Sequence, residues 1–163
     1  MIIADPVVAQ DTTIDTIALV DQVAPGTDFV FREFDVPIIN SSGVIVVRNG
    51  EFATVSGRWT ARGSALSLLA LGEDDAVGFD PHPSTGNLPT LDLIGVPAIN
   101  GRGDVAFHAA TDFGSAIYRS NGRTNLTRVA EGVSTRLPII DGNRMVVFAT
   151  VEAGLFGGTI QAA

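Results

Sequence analysis

One phrase of twelve residues occurs three times in this chain, and it constrains the fold more than any other feature. Its copies are VPIINSSGVIVV (36–47), VPAINGRGDVAF (96–107) and LPIIDGNRMVVF (137–148). Each has a proline, an apolar pair, an Asn or Asp with a short polar turn, and then an apolar run. Asn or Asp beside glycine favours a tight turn, and proline suits the start of an edge strand. Each phrase therefore predicts a β-hairpin.

Similar stretches also recur outside the phrase, which indicates a unit larger than one hairpin. ALVDQVAPG from Ala18 matches ALGEDDAVG from Ala70, and RVAEG from Arg128 is a shortened third occurrence. The stretch around Asn121 and Gly122 predicts a strand, a turn and a strand, and SALSLLALGED is its counterpart after the first phrase. This spacing is typical of repeat units that differ in loop length.

The two ends of the chain predict complementary halves of one such unit. Ile14–Val20 is expected to be a closing strand and Leu155–Ile160 an opening strand. Because unpaired strand edges invite aggregation, we expect the two ends to pair with each other or with a neighbouring copy. Residues 1–13 are then an N-terminal arm, and residues 14–163 are a single all-β repeat domain.

Composition supports short strands and excludes several kinds of partner. Eighteen glycines and eight prolines interrupt the 163 residues too often for long helices. A formal net charge of −8 argues against binding to nucleic acid or to an anionic membrane. The chain has no cysteine for disulfides or thiolate metal sites. No stretch approaches the length of a membrane-spanning helix, so we expect a soluble protein with no membrane span.

Four stretches together resemble the tandem propeller-like repeats of secreted bacterial surface proteins. They are VAPG (23–26), PAINGRGDVAF (97–107), SAIY (115–118) and GLF (154–156). The resemblance covers most of residues 14 to 160. It implies that the units are propeller blades and that the protein is extracellular or lies at the cell surface.

The fold class predicted is all-β, with three propeller-blade-like repeats of short antiparallel strands. A propeller needs about four or more blades to enclose a channel. We therefore expect a partial propeller that is closed by oligomerisation, for example two chains forming a ring of six blades. The alternative is closure within one chain, as a β-trefoil, a β-prism or a sandwich.

An acidic loop is the candidate metal site. Glu73, Asp74, Asp75 and Asp80 lie close together between glycines and prolines. Calcium binds several carboxylate and carbonyl oxygens, so these residues could hold Ca²⁺. The alternative is a solvated acidic loop without a cofactor.

A tryptophan between arginines is the candidate ligand site. Arg58, Trp59 and Arg62 could form a platform for a sugar or an anion, because a flat ring beside guanidinium groups is a common carbohydrate-binding surface. The alternative is a partly buried tryptophan between two blades.

Catalysis has little support in the sequence. His82 and His108 are the only histidines, and we expect His108 to be half exposed on the opposite strand face from Phe107. Arg102–Asp104 is an RGD tripeptide, interpreted as ordinary turn polarity. We expect a non-catalytic, self-associating structural or cell-surface assembly protein that forms a homo-oligomer. The alternative is a carbohydrate-binding, lectin-like module with a glycan partner, and a hydrolase ranks third.

Overall fold

The computed structural model describes residues 16–49, 56–72, 89–111, 114–122, 125–132, 138–151 and 158–163. Across these ranges the regular structure is antiparallel β-sheet without helix, which confirms the all-β prediction. The first sheet contains β1 (Ile38–Ile39), β2 (Val44–Arg48), β3 (Gly57–Arg62) and β4 (Ala65–Leu71). The second contains β5 (Asp92–Ile99), β6 (Val105–Thr111), β7 (Gly114–Ser120) and β8 (Leu126–Glu131). The third contains β9 (Ile139–Ile140), β10 (Val146–Val151) and β11 (Gly158–Ala162). In the described ranges these sheets form neither a closed barrel nor a closed propeller.

Each phrase forms a hairpin with the same register. The equivalent pairs are Ile38 with Val46, Ala98 with Ala106, and Ile139 with Val147. In the first turn, Asn40 Oδ1 accepts hydrogen bonds from the backbone N–H groups of Ser42 and Val44 at 3.0 and 2.8 Å. Asn100 and Asp141 accept from the same two turn positions at 2.8 to 3.0 Å. The prediction of three hairpins is confirmed.

The three sheets stack face to face, with the second sheet in the middle. Its first face buries Val105, Phe107 and Tyr118 against Val46, Leu69 and Ala70 of the first sheet. Its second face buries Ala106 and Ile117 against Ile140, Val146 and Phe148 of the third sheet. Neighbouring residues of a strand point to opposite faces, so β6 contributes side chains to both interfaces.

The chain before β1 covers the outer face of the first sheet. Trp59 of β3 is fully buried there, and its Nε1 donates a hydrogen bond of 3.0 Å to the Pro25 carbonyl. The Phe31 ring packs edge-on against the indole at a centroid distance of 4.8 Å. Gly57 lies beneath the indole, where any Cβ atom would overlap the six-membered ring. This segment therefore covers one face of the first sheet in the same way that the first sheet covers one face of the second sheet.

The prediction for the two chain ends needs correction. Residues 16–20 are not in a strand, so the predicted closing strand is wrong over that part, and residues 14 and 15 lie outside the described ranges. Ile17 and Ala18 instead line an apolar hollow with Ile45 and Val47 on the outer face of the first sheet. Burial on a sheet face therefore replaces strand pairing in this segment.

The C-terminal strand is present and pairs inside its own sheet. β11 covers Gly158–Ala162 and pairs with β10 along its length, while Leu155 and the two residues after it lie outside the described ranges. The backbone N–H and carbonyl of Ala163 both hydrogen bond to Val146, at 3.0 and 2.7 Å. The described parts of the two ends do not pair with each other.

Candidate functional site

The predicted metal-binding residues lie outside the described ranges. Glu73, Asp74, Asp75 and Asp80 all fall between residues 72 and 89, as does His82, which was not among the predicted metal ligands. In the ranges that the structure does describe, no group of three or more His, Asp or Glu side chains is placed to hold a metal ion. The Ca²⁺ hypothesis therefore stays a prediction.

The predicted ligand platform is divided between two faces of β3. Trp59 is buried under the N-terminal segment, while the neighbouring Arg58 points to the opposite face and is 0% exposed between the first and second sheets. Arg62 is exposed at the end of the strand. The structure does not bring the three side chains to one surface, and the indole offers no open face on which a sugar could stack.

Two other predicted positions are also buried. His108 is 4% exposed, so the expectation of a half-exposed histidine is wrong. It lies on the face of β6 opposite Phe107, as expected, and that face packs against the third sheet. Asp104, the last residue of the RGD tripeptide, is 3% exposed and is bonded inside the protein.

A pair of buried arginines joins the first and second sheets. Arg48 and Arg58 lie directly opposite each other on β2 and β3. Both guanidinium groups donate to the carbonyl oxygen of Gly95, at 2.9 and 2.8 Å. Gly95 has a φ of +72° and lies where the pairing of β5 with β6 is interrupted, so its carbonyl is turned out of the ladder. Asp35 forms an ion pair with Arg48 at 2.8 Å.

Electrostatics around Arg58 are unfavourable to its charge. The pKa of Arg58 is lowered to about 9, mainly by burial and also by the charge of Arg48, while Asp92 and Asp35 act in the opposite direction. The guanidinium carbon also lies 5.3 Å from the centre of the Phe107 ring, where a cation–π contact offsets part of the lost hydration. The pair is enclosed between sheets and serves to hold them together.

Two clefts open between the sheets at the end where the phrase turns lie. The first cleft, between the first and second sheets, has a volume of about 350 Å³. The second cleft, between the second and third sheets, has a volume of about 160 Å³. The residues that line the first cleft include Val44, Thr60, Arg62, Arg102, Gly103 and Asn121. Those that line the second include Asp104, Arg119, Asn125, Thr127 and Arg144.

The clefts are built from equivalent positions. Val44 of the first copy corresponds to Asp104 of the second, and Gly103 of the second copy corresponds to Arg144 of the third. Strand register extends the match, because Thr60 faces Ser67 across β3 and β4 as Arg119 faces Thr127 across β7 and β8. The two clefts therefore share one backbone arrangement, called here the frame, and differ in the side chains that line them.

The second cleft contains its own ion pair. Arg144 Nε lies 3.1 Å from Asp104 Oδ1, and the Asp104 carboxylate also accepts a hydrogen bond of 2.9 Å from Asn100 Nδ2. Arg144 has a φ of +70° at a turn position where the other copies have glycine. Its carbonyl oxygen accepts a hydrogen bond of 2.8 Å from Arg119 Nη1. The side chain of Arg144 thus reaches across the second cleft and is neutralised there.

The first cleft has no such pair. Gly103 leaves open the place of the Arg144 side chain, and Val44 stands where Asp104 supplies a carboxylate. Arg62 Nη2 lies only 3.9 Å from the position that a Cβ atom on Gly103 would occupy. The lining residues include two arginines and no acidic residue. The difference between Gly103 and Arg144 at one aligned position is visible in the sequence. Its effect on the cleft depends on how neighbouring turns pack against each other.

Comparison with protein-family models, with curated proteins and with solved structures finds no match to this chain. Within the described ranges there is also no helix with the length and apolar character needed to cross a membrane. The function has to be argued from the geometry of the chain itself.

Proposed function

We propose that this chain is a non-catalytic assembly protein whose copies associate end to end through their stacked sheets. The observation that supports it most directly is an apolar pair left uncovered at one end of the stack. In the first two sheets, Val46 and Ala106 are 2% and 0% exposed because the next sheet covers them. Val147 is the equivalent residue of the third sheet, and it is only half buried. Its cross-strand partner Ile139 is 66% exposed.

The other end of the stack also exposes apolar side chains, beside the exposed Asp21–Arg32 ion pair. The segment that covers the first sheet exposes Leu19, Val20 and Val23 by 59%, 52% and 59%. Burying such side chains is favourable by roughly 25 cal/mol for each Å² removed from water. The two ends differ, so contact between them is head to tail, and such contacts produce a ring when the rotation closes and a filament when it does not.

A partial propeller is the form that this assembly takes in our proposal. The first arms of the three sheets lie next to each other, with β1 beside β5 and β5 beside β9. Asn40 Nδ2 donates to the Asn100 carbonyl at 2.6 Å, and Asn100 Nδ2 donates to the Asp141 carbonyl at 2.7 Å. Neighbouring inner strands and face-to-face sheets are the arrangement of propeller blades. The sheets are then blades that a second copy completes, and an extracellular or cell-surface setting follows from the resemblance alone.

The test is the solution mass with the stack ends altered. We expect wild-type protein to have a mass that is a multiple of 17.0 kDa by light scattering after size exclusion. Ile139→Glu and Leu19→Glu should each weaken association at least tenfold, because each places a charge in an apolar contact. Val96→Glu is the matched control, since Val96 is 46% exposed but belongs to the middle sheet.

Each outcome decides for or against the proposal. A wild-type monomer at high protein concentration contradicts it. An assembly that persists in both end variants, with the circular dichroism spectrum of a folded β protein, also contradicts it. If Val96→Glu dissociates the assembly as strongly as the end variants do, the contact does not lie at the stack ends and the proposal is wrong.

A further inference from the structure

We infer that the first cleft is a binding site for a small, hydroxyl-bearing carboxylate such as a uronic acid. The site lies within one chain, between the first and second sheets, and does not depend on how copies associate. The inference rests on the charges in the cleft, on the design of the second cleft, and on the polar groups around both arginines.

Among the described residues, the arginine side chains without an ion pair or hydrogen-bond partner lie in this cleft. Elsewhere in the described ranges, the exposed or half-exposed arginines are held by acidic side chains or by a backbone carbonyl: Arg32 by Asp21, Arg128 by Glu131, Arg144 by Asp104, and Arg119 by the Arg144 carbonyl. Arg62 and Arg102 make no ion pair or hydrogen bond to any side chain that the structure describes, and both line the first cleft. In a chain of net charge −8, two such arginines on one cleft form a local site for an anion.

The second cleft shows which anion fits this frame. There, the guanidinium group of Arg144 in the third turn is paired with the Asp104 carboxylate. Asp104 is the residue directly after the glycine of the second turn. In the first cleft Val44 takes the position of Asp104 and Gly103 takes that of Arg144. The two guanidinium groups present come from other positions, Arg62 and Arg102. A ligand carboxylate supplies in the first cleft the negative charge that Asp104 supplies in the second.

Size and polarity define the rest of the ligand. A volume of about 350 Å³ lies at the lower end of the range for small-molecule sites, roughly 300 to 1,000 Å³. Ser67 and Asn121 line the cleft and carry hydroxyl and amide groups that can bond to ligand hydroxyls. The backbone carbonyl of Gly122 is already engaged by Thr60 Oγ1 at 2.9 Å, which fixes this wall.

The experiment compares galacturonate with galactose, which differ in the carboxylate. We expect calorimetric titration to detect galacturonate binding and no galactose binding. Arg62→Gln and Arg102→Gln should each weaken galacturonate binding at least tenfold, because each removes a charged hydrogen-bond donor. Arg32→Gln is the matched control, since Arg32 is an exposed arginine outside the cleft and should bind as the wild type does.

A second variant transfers the design of the second cleft to the first. Val44→Asp combined with Gly103→Arg should abolish galacturonate binding, because the chain then carries its own ion pair in the cleft. The two charge variants keep the test decisive if this double variant fails to fold.

The inference is overturned if the wild type binds none of galacturonate, malate and citrate, or if both Arg→Gln variants bind as the wild type does. Tighter binding of inorganic phosphate than of galacturonate overturns the carboxylate assignment.

Discussion

The first and second clefts have the same backbone frame but differ in the charges of the side chains that line them. In the second cleft, Arg144 and Asp104 neutralise each other and reduce the open space to about 160 Å³. In the first cleft, Gly103 and Val44 occupy those two positions and leave about 350 Å³ with two arginines at its walls. At these two positions the second cleft carries an ion pair of its own and the first cleft carries uncharged residues, while the arginines of the first cleft come from other positions.

The same two interfaces differ again at their far ends. Arg48 faces Arg58 in the first interface, whereas His108 faces Ile117 at the equivalent register in the second. Arg58 reaches the Gly95 carbonyl, and Ile117 packs into an apolar cluster. Both interfaces are polar at the cleft end, but at the far end the first holds two arginines and the second an apolar cluster beside His108, so the two should respond differently to mutation and to pH.

The largest expected difference concerns the asparagines that link the turns. Asn100 is 4% exposed, accepts two backbone N–H groups and donates to both Asp104 and Asp141. We expect Asn100→Ala to lower the free energy of unfolding by about 3 kcal/mol, since it leaves buried polar groups unsatisfied. Asn40→Ala, at the half-buried equivalent beside the first cleft, should lower it by only about 1 to 2 kcal/mol. Urea denaturation of the two variants measures both, and equal losses would contradict the contrast.

An intermediate effect is expected at the turn position that distinguishes the clefts. Gly103 has a φ of +92°, so Gly103→Ala should lower the free energy of unfolding by about 1 kcal/mol through backbone strain. Arg144→Gly should change it by less than about 0.5 kcal/mol, because relief of strain offsets the loss of a half-exposed arginine and Asn100 still donates to the buried Asp104 carboxylate. Gly101→Ala in the same turn is the control, since its Cβ atom meets only Ser41 Oγ at 3.6 Å. Thermal and urea unfolding check these values, and a larger loss for Arg144→Gly than for Gly103→Ala would refute them.

A third difference is a pH dependence that Arg58 contributes in the first interface. Burial lowers the pKa of Arg58 from the ordinary value of arginine to about 9 in the folded protein, so the unfolded chain binds more protons above about pH 9. Stability contributed by this group therefore rises with pH from about 9 upward, by at most about 1.4 kcal/mol per pH unit. We expect wild-type protein to gain stability relative to Arg58→Met between pH 8 and about pH 11, measured by urea denaturation. A constant difference across that window would show that Arg58 titrates normally.

The hairpins could be predicted from the sequence because their causes are local. Asn40, Asn100 and Asp141 each satisfy backbone donors two and four residues later, and such contacts leave a readable pattern. The ligand platform could not be predicted in the same way. Strand alternation alone separates Arg58 from Trp59, but only the packing of Phe31 and the N-terminal segment shows that the indole is covered.

The clefts and the chain ends depend on contacts between distant parts of the sequence. Arg144 meets Asp104 across 40 residues, and no local pattern records that distance. Ile14–Val20 is expected to be a strand because TTIDTIALVD resembles the last strand of the repeated unit, yet the described part from residue 16 lies on an apolar sheet face. Tertiary burial overrides local preference at both places.

The row of turn amides has a direction. Asn40 donates to the second turn and Asn100 donates to the third, but the third turn carries Asp141, whose side chain has only acceptor oxygens when ionised. Any unit laid beside that turn, whether from duplication or from another molecule, must therefore bring its own donor. Because Asp141 has a carboxylate oxygen where asparagine has an amide nitrogen, the row of donated hydrogen bonds between neighbouring turns ends at the third turn.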